Sequence, residues 1–494
     1  MKYLLGVDFG GGASKATLLR TDGWVVATHS VEYPTSYPES GWAEQNPKDW
    51  YVAASRNIRS VLEKSRVDPS DILMVALDAA THTAVLLDEN FQVLRPAIYW
   101  TDTRSKIQVN ELRKEYEDFI YQKTLHSPDT IWTLPQLLWV RQNEPEIWKK
   151  TRHILFAKDM VRYWLTGEYG TDEIDAQGSM LLDYETGWWC DGLCSLLGIP
   201  VEVLPPIHRS TELAGCVTSA AAVDTGLCQG TPVCFGTTDT VMEVFAAGAV
   251  EPGQMTVKLA TAGRICVITE KPYPHRDLVN YSHVIPGLWY PGTATKSAAA
   301  SYRWYRDTFG ESYRELDMAA EQIEAGCGGL LFHPYLNGEL TPYADPMLRG
   351  SFTGIQAGHT KAHFSRAVME GVAFSLMDCR CTLEELEIPL ASKAVIIGGG
   401  SSSALWRQIV ADTLGLTLQL MENNDSSFGS AMLAGVAEGV FSGFSDAART
   451  CIRLRSETRP KPENTKRYAS LYPVYRQIHD ALAPVYHLME KADK

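Results

Sequence analysis

The sequence predicts an α/β protein made of two related halves. Three observations carry that expectation. The chain opens on short apolar runs separated by turn signals and then passes into a helical pattern; a similar strand-turn-strand opening recurs over residues 255–268; and 494 residues, 45% hydrophobic and 21% charged, can bury more than one core. Equal halves would meet near residue 247, so the expected domains are 1–247 and 248–494.

Residues 3–7 are apolar and run into Gly10-Gly11-Gly12; residues 16–19 follow, then Asp22-Gly23, then residues 24–28. Apolar runs between tight-turn residues read as three antiparallel strands. Asn46-Pro47 supplies a helix N-cap with proline in the first turn, and Trp50, Ala54, Ile58, Val61 and Leu62 follow at helical spacing. Residues 72–77 form a further strand. The second half restarts with residues 255–259, the turn Ala260-Thr261-Ala262-Gly263, and residues 265–268. Phe364, Ala367, Val368, Gly371 and Val372 mark a core-facing helix, and the buried-strand pattern at 394–397 runs into Gly398-Gly399-Gly400 and a helix carrying Leu405, Ile409 and Leu414. The polar segment 456–466 reads as a surface loop before a C-terminal helix.

Composition excludes several classes of function. With 45 Lys+Arg against 59 Asp+Glu, the formal charge is -14, and no basic block supplies the field that non-specific nucleic-acid binding needs. The N-terminal apolar run breaks at Gly6 and Asp8, too early for a signal peptide or membrane anchor, so a cytoplasmic protein is expected. The 10 cysteines are scattered, and their nearest pairs, Cys379/Cys381 and Cys190/Cys194, lack CxxC spacing; reduced thiols are expected.

The candidate chemistry lies at turns. Asp8 ends a buried strand against three glycines, an arrangement that lets backbone N–H groups approach a phosphate while a carboxylate reaches its metal ion; an Asp that caps a hairpin turn would look the same. Thr261 in the matching turn adds a hydroxyl, and Gly399 and Gly400 stand between strand and helix, where a nucleotide can approach closely or a helix can simply pack. Asp239 follows the apolar run 232–235 and precedes a helix through Val241, Val244 and Phe245, a position suited either to a general base in a cleft or to a helix cap. Thr81, His82, Trp100, Asp102 and Arg104 offer donors and acceptors just after predicted strands, as a polyhydroxylated ligand requires; a core histidine and a salt bridge are the alternatives. Glycine turns in both halves with interspersed carboxylates point to a nucleotide held between two domains.

Further motifs carry a resemblance to a known family. Gly350-x-Phe352-x-Gly354-Ile355, followed by His363-Phe364 and Ala367-Val368-Met369-Glu370, is similar throughout to the second signature of the FGGY carbohydrate kinases. Lys158-Asp159 with Leu165-Thr166-Gly167, the run 172–183, Pro334 to Glu339, and Ile397 to Gly400 with Trp406-Arg407-Gln408 resemble the same family in the same order. The resemblance implies two actin-like ATPase domains of the ribonuclease H type flanking a central cleft. It implies ATP and Mg2+ as cofactors and a small-molecule sugar as partner, with no nucleic acid or membrane; a homodimer is the assembly considered. The acceptor it implies is a ketopentose, D-xylulose by default, with another ketose, a polyol, a sugar acid or glycerol as alternatives; a nucleotide-responsive binding protein with weak kinase activity is another.

Carried over residue by residue, Asp8 belongs to the metal site and Asp239 is the catalytic base, which also touches the sugar. Gly10, Gly11, Gly12, Lys15, Thr261, Gly263, Gly399 and Gly400 serve the nucleotide, and Thr81, His82, Trp100, Asp102 and Arg104 the sugar. The chain departs from the pattern at several of these positions. Gly10-Gly11-Gly12 stands where the family has Gly-Thr-Ser, and Leu259-Ala260-Thr261-Ala262-Gly263 where it has Leu-Gly-Thr-Ser-Gly. Ala80-Thr81-His82 replaces Gln-Met-His, Leu340 replaces Arg in a Gly-Glu-Arg-Thr-Pro motif, and Gln136 replaces Lys.

Overall fold

The computed structural model describes residues 1–492. Two compact units share the chain: the first comprises Met1–Val250, Tyr281–Leu288 and Asn423–Ile452, the second Glu251–Asn280, Trp289–Glu422 and Arg453–Lys494. The division is therefore not a single cut, since two later segments return to the first unit.

In the first unit, strands β1 (Tyr3–Phe9), β2 (Ala13–Arg20) and β3 (Val25–Glu32) form an antiparallel meander, and β4 (Ile72–Ala79) pairs parallel to β1. The hairpin of β5 (Leu213–Cys216) and β6 (Pro232–Cys234) extends the sheet beyond β4, and β7 (Thr237–Thr238) also pairs with β4. Helix α1 (Pro47–Ser65) connects β3 to β4; the Asn46 side chain accepts from the Lys48 N–H at 3.1 Å, and Trp50, Ala54, Ile58 and Val61 face the core with Val7 and Leu77. Helices α2 (Ala157–Thr166), α3 (Glu173–Gly178) and α4 (Asp239–Ala246) carry residues of the site.

The second unit repeats the plan. Strands β8 (Met255–Leu259), β9 (Gly263–Val267) and β10 (Gly292–Thr295) are antiparallel neighbours, β11 (Lys393–Ile397) and β12 (Thr417–Met421) add in parallel, and β13 (Leu454–Thr458) closes the edge antiparallel. Its long helix α5 (Lys361–Glu385) buries Ala367, Val368 and Val372 against the sheet, and α6 (Ala404–Leu414) follows β11. Both sheets thus run from an antiparallel meander through two parallel strands to an antiparallel edge. The copies differ at that edge: in the first unit the outer strand precedes its neighbour in sequence, in the second it follows.

The segment 456–466 is not a loop. Its first residues complete β13 by pairing with β12, because an edge strand needs only one neighbour and can leave polar side chains in water, and helix α8 (Pro462–Ala492) begins soon after. No helix among the described residues is long and apolar enough to cross a membrane, and all 10 cysteines are free thiols.

Helix α7 (Ser426–Ala437) returns to the first unit and lies directly on β1 and α4. A Cβ on Gly6 would stand 2.0 Å from the Ser427 carbonyl oxygen and 2.3 Å from the Ala431 nitrogen, and one on Gly429 2.4 Å from the Met242 carbonyl oxygen. Backbone against backbone leaves no flexible group to yield, so Gly6→Ala must separate α7 from β1. We expect a loss of about 3 kcal/mol of stability, read from urea denaturation; an unchanged midpoint would show that the contact relaxes freely.

Candidate active site

Three strands of the first unit end side by side. In the parallel register Asp8 on β1 is the Cα partner of Asp78 on β4, Thr237 on β7 is the partner of Asp78 from the other side, and Asp239 follows β7 as the first residue of α4. The carboxyl ends of parallel strands are where open α/β sheets bind ligands, since the loops diverge there. The Ser430 hydroxyl of α7 donates to Asp78 Oδ2 at 2.5 Å, while Asp8 Oδ1 and Asp78 Oδ1 are shielded from solvent without a hydrogen-bond partner. Burial pushes Asp8 up to about 7, although its hydrogen bond with Asp78 works in the other direction; burial and the Asp8 charge raise Asp78 well above its ordinary value.

This donor set fits a hard divalent cation. Mg2+ binds through one or two carboxylates and completes its shell with water and substrate phosphates. The two buried, unpartnered carboxylate oxygens answer that description, and no cluster of three or more His, Cys, Asp or Glu among the described residues forms an all-protein cage.

Asp239 is held by hydroxyls. Thr81 Oγ1 donates to Asp239 Oδ1 at 3.2 Å and Thr240 Oγ1 to the same oxygen at 3.1 Å. Asp239 is the first residue of α4, and Thr238 occupies the N-cap position. Beside it, the glycine turn after β1 is fixed from below: the Tyr33 hydroxyl donates to the Gly10 carbonyl at 2.5 Å and Gln45 Nε2 to the Gly11 carbonyl at 2.9 Å. Gly11 and Gly12 are exposed. Lys15 on β2 pairs with Asp425 at 2.9 Å, and Asp425 in turn caps α7 by accepting from the Phe428 N–H.

The Thr81-His82 segment is held by a buried charge network. His82 takes the left-handed backbone conformation, with φ 52°; its N–H donates to Asp175 Oδ1 at 2.8 Å and its carbonyl accepts from Thr133 Oγ1. Asp175 is one of three carboxylates around the Lys158 ammonium, with Asp159 at 2.8 Å, Asp172 at 2.8 Å and Asp175 at 3.1 Å, and Arg162 completes the group. Burial alone would depress Lys158, but the three carboxylates outweigh it and hold the amine above its ordinary value. The His82 ring is buried near Trp132; burial and the neighbouring His126 push it down to about 3, so it is neutral at physiological pH.

Trp100 is 43% exposed, whereas Asp102 and Arg104 are turned inward. Asp102 accepts from the Ala43 and Arg104 N–H groups and from the Arg104 guanidinium, which also pairs with Glu44 and lies 3.8 Å above the Trp42 ring. Their polar groups brace the segment that carries Tyr99 and Trp100. In the second unit, Thr261 is exposed at the turn after β8, and the backbone N–H groups of Ala299 and Ala300 donate to the carbonyls of Ala260 and Thr261. Gly398 and Gly400 sit against Leu259, so that a Cβ on either would lie 2.7 Å from it, while Gly399 faces open space. Gly263 is a packing glycine: its Cβ would meet Thr295 at 2.7 Å.

Some members of this site carry weaker local signals in the sequence. Asp78 closes an apolar strand as Asp8 does, but no glycine turn follows it. Asp425 and Ser430 join only because α7 returns to the first unit. Gln177 stands next to Gly178, which backs onto His82 and Thr81; its Oε1 accepts from the Ser282 N–H at 2.8 Å and its Nε2 is buried without an acceptor.

The chain is similar to known proteins along nearly its whole length. The models of the FGGY family of carbohydrate kinases match in two parts, the N-terminal domain over residues 3–246 and the C-terminal domain over 257–438. The chain is 34% identical over 486 residues to a xylulose kinase of Bacillus subtilis, covering 97% of each protein. It is 27% identical over 500 residues to a gluconokinase of the same organism, covering 98% of this chain and 97% of that one. A crystal structure described as a xyloylose kinase from Brucella ovis superposes with a TM-score of 0.92 at 30% identity, covering 98% of this chain and all of that one.

Replacing Lys158 by Met leaves three carboxylates buried around an apolar chain. Removing one partner of a buried ionic network costs about 3–5 kcal/mol, and the His82 segment loses its anchor. Urea denaturation of Lys158→Met should show that loss; a change below about 1 kcal/mol would mean that the carboxylates are already neutral.

Proposed function

The chain belongs to the FGGY family of carbohydrate kinases, and on that premise we propose that it transfers the γ-phosphoryl group of ATP to D-xylulose, giving D-xylulose 5-phosphate. The observation that carries this reading is Asp239, set at the end of β7 beside the Asp8/Asp78 pair with one oxygen fixed by two threonine hydroxyls. As the sugar hydroxyl oxygen attacks the γ-phosphorus, Asp239 takes the hydroxyl proton, the bond from the γ-phosphorus to its bridging oxygen breaks, and ADP leaves. Thr81 and Thr240 keep the carboxylate oriented by donating to one of its oxygens. Asp8 and Asp78 would hold Mg2+, which would supply positive charge to offset that of the phosphates.

In the second unit, the exposed Thr261 turn serves the phosphates and Gly399 and Gly400 border the adenosine. Around the sugar, the neutral His82 ring and the buried Gln177 amide donate to hydroxyls, and the exposed Trp100 face stacks on carbon. The D-xylulose assignment is supported by the xylulose kinase relative at 34% identity. A sugar-acid acceptor is the second reading, favoured by the gluconokinase relative and by the loss of the family's amide at Ala80.

ATP consumption against a panel of D-xylulose, other ketoses, polyols, D-gluconate and glycerol decides the acceptor; D-xylulose should give the highest kcat/KM, and a preference for D-gluconate would replace it. Absence of ATP consumption with every acceptor would leave only the binding-protein reading. Asp239→Asn should keep ATP binding by calorimetry and lower kcat by about 100- to 10,000-fold. Near-normal turnover would remove Asp239 from the role of base.

A further inference from the structure

Two departures from the family pattern, Gly11 and Ala80, meet on one side chain. A Cβ built on Gly11 would lie 2.8 Å from the Tyr99 hydroxyl oxygen and 3.7 Å from the ring carbon that carries it. Gly11 is outside the left-handed region, so its backbone accepts an L side chain and the glycine is required by the tyrosine instead. Gly12 offers the contrast, with nothing within 4 Å of its Cβ position. At the other end of the ring, Tyr99 packs with Ala80 and Ala43 in a small buried cluster, and a long amide at position 80 would compete for that space.

The Tyr99 backbone is held by its neighbours. The Tyr99 N–H donates to the Ala43 carbonyl at 2.9 Å, its carbonyl accepts from the Asp102 N–H at 2.9 Å, and Asp102 closes the circuit by accepting from the Ala43 N–H. The hydroxyl end of the ring faces the exposed glycine turn. The charges of Asp239 and Asp8 act on it.

We propose that the Tyr99 hydroxyl donates a hydrogen bond to the γ-phosphoryl group, in place of the hydroxyl that a threonine at position 11 would supply, and that Gly11 and Ala80 are small to admit it. The inference rests on the kinase reading above. It makes Tyr99 a catalytic residue contributed from the loop after the sheet rather than from the phosphate turn itself. Burial, with the Asp239 charge, raises the phenol above its ordinary value against the Trp100 indole, so the group stays a protonated donor at neutral pH.

Three variants of the full chain test it, each first checked for a wild-type melting temperature. Tyr99→Phe removes one oxygen from a ring already fixed by its backbone; we expect kcat to fall about 10- to 100-fold, sugar KM to stay within about twofold, and calorimetry to show weaker ATP binding with ADP binding unchanged. Gly11→Thr should lower activity in the wild-type background, where the new side chain meets the Tyr99 hydroxyl, and raise it in the Tyr99→Phe background, where that oxygen is gone. This reversal of sign is the signature of one hydroxyl position filled from two places in the chain. Equal effects of Gly11→Thr in both backgrounds, an unaltered kcat in Tyr99→Phe, or equal weakening of ATP and ADP would overturn the proposal. The ATP-against-ADP comparison needs no turnover, so a wild-type protein inactive on every sugar would sink the kinase reading by a separate measurement.

Discussion

Parallel pairing of β1 with β4 sets two carboxyl groups side by side at the end of the first sheet, and the surroundings follow from that constraint. Burial raises both carboxyls above their ordinary values, and the Asp8 charge raises Asp78 further. The fold accommodates the pair by bringing α7 across β1, with Gly6 allowing backbone contact and Ser430 donating to Asp78. One oxygen of each acid is left without a protein partner.

A second buried network performs a different task. Lys158, Arg162, Asp159, Asp172 and Asp175 pair with one another; Asp172 also accepts from Thr237 Oγ1 on β7 and from Ser210 Oγ, and Asp175 accepts from the His82 N–H. That bond supports a non-glycine residue in the left-handed region, where the backbone conformation itself is unfavourable. The segment so held carries both Thr81, which touches Asp239, and the neutral His82 ring. The orientation of the carboxylate at the end of β7 is thus tied to charges on α2 and α3 that never approach it.

The thinned phosphate turn also has a structural account. Without the family's hydroxyls at positions 11 and 12, the turn after β1 is a bare backbone loop, fixed through its carbonyls by Tyr33 and Gln45. Position 11 is small because a tyrosine hydroxyl stands where its side chain would begin, and position 80 because the same ring packs there. Changes that read as independent losses along the chain become parts of one substitution in space. Asp102 and Arg104 take the part of a brace, since their polar groups are consumed in holding the Tyr99–Trp100 segment to Ala43.

Much was legible in the residues alone. Hydrophobic periodicity and turn chemistry are local properties, so the meander of β1 to β3, the Asn46 cap, the strand before Asp78 and the restart at β8 can be read without any long-range contact. Motif order carried the family, because FGGY signatures are defined by residue spacing. The edge strand β13 was missed, since a polar strand with one neighbour looks like a loop until that neighbour is known. Asp78, Asp425, Ser430 and Tyr99 escaped for a related reason. Their roles depend on contacts between segments distant in sequence, the parallel register of β4, the return of α7 and the reach of a side chain across to Gly11, and pairing of that kind is decided by packing, which no local pattern encodes.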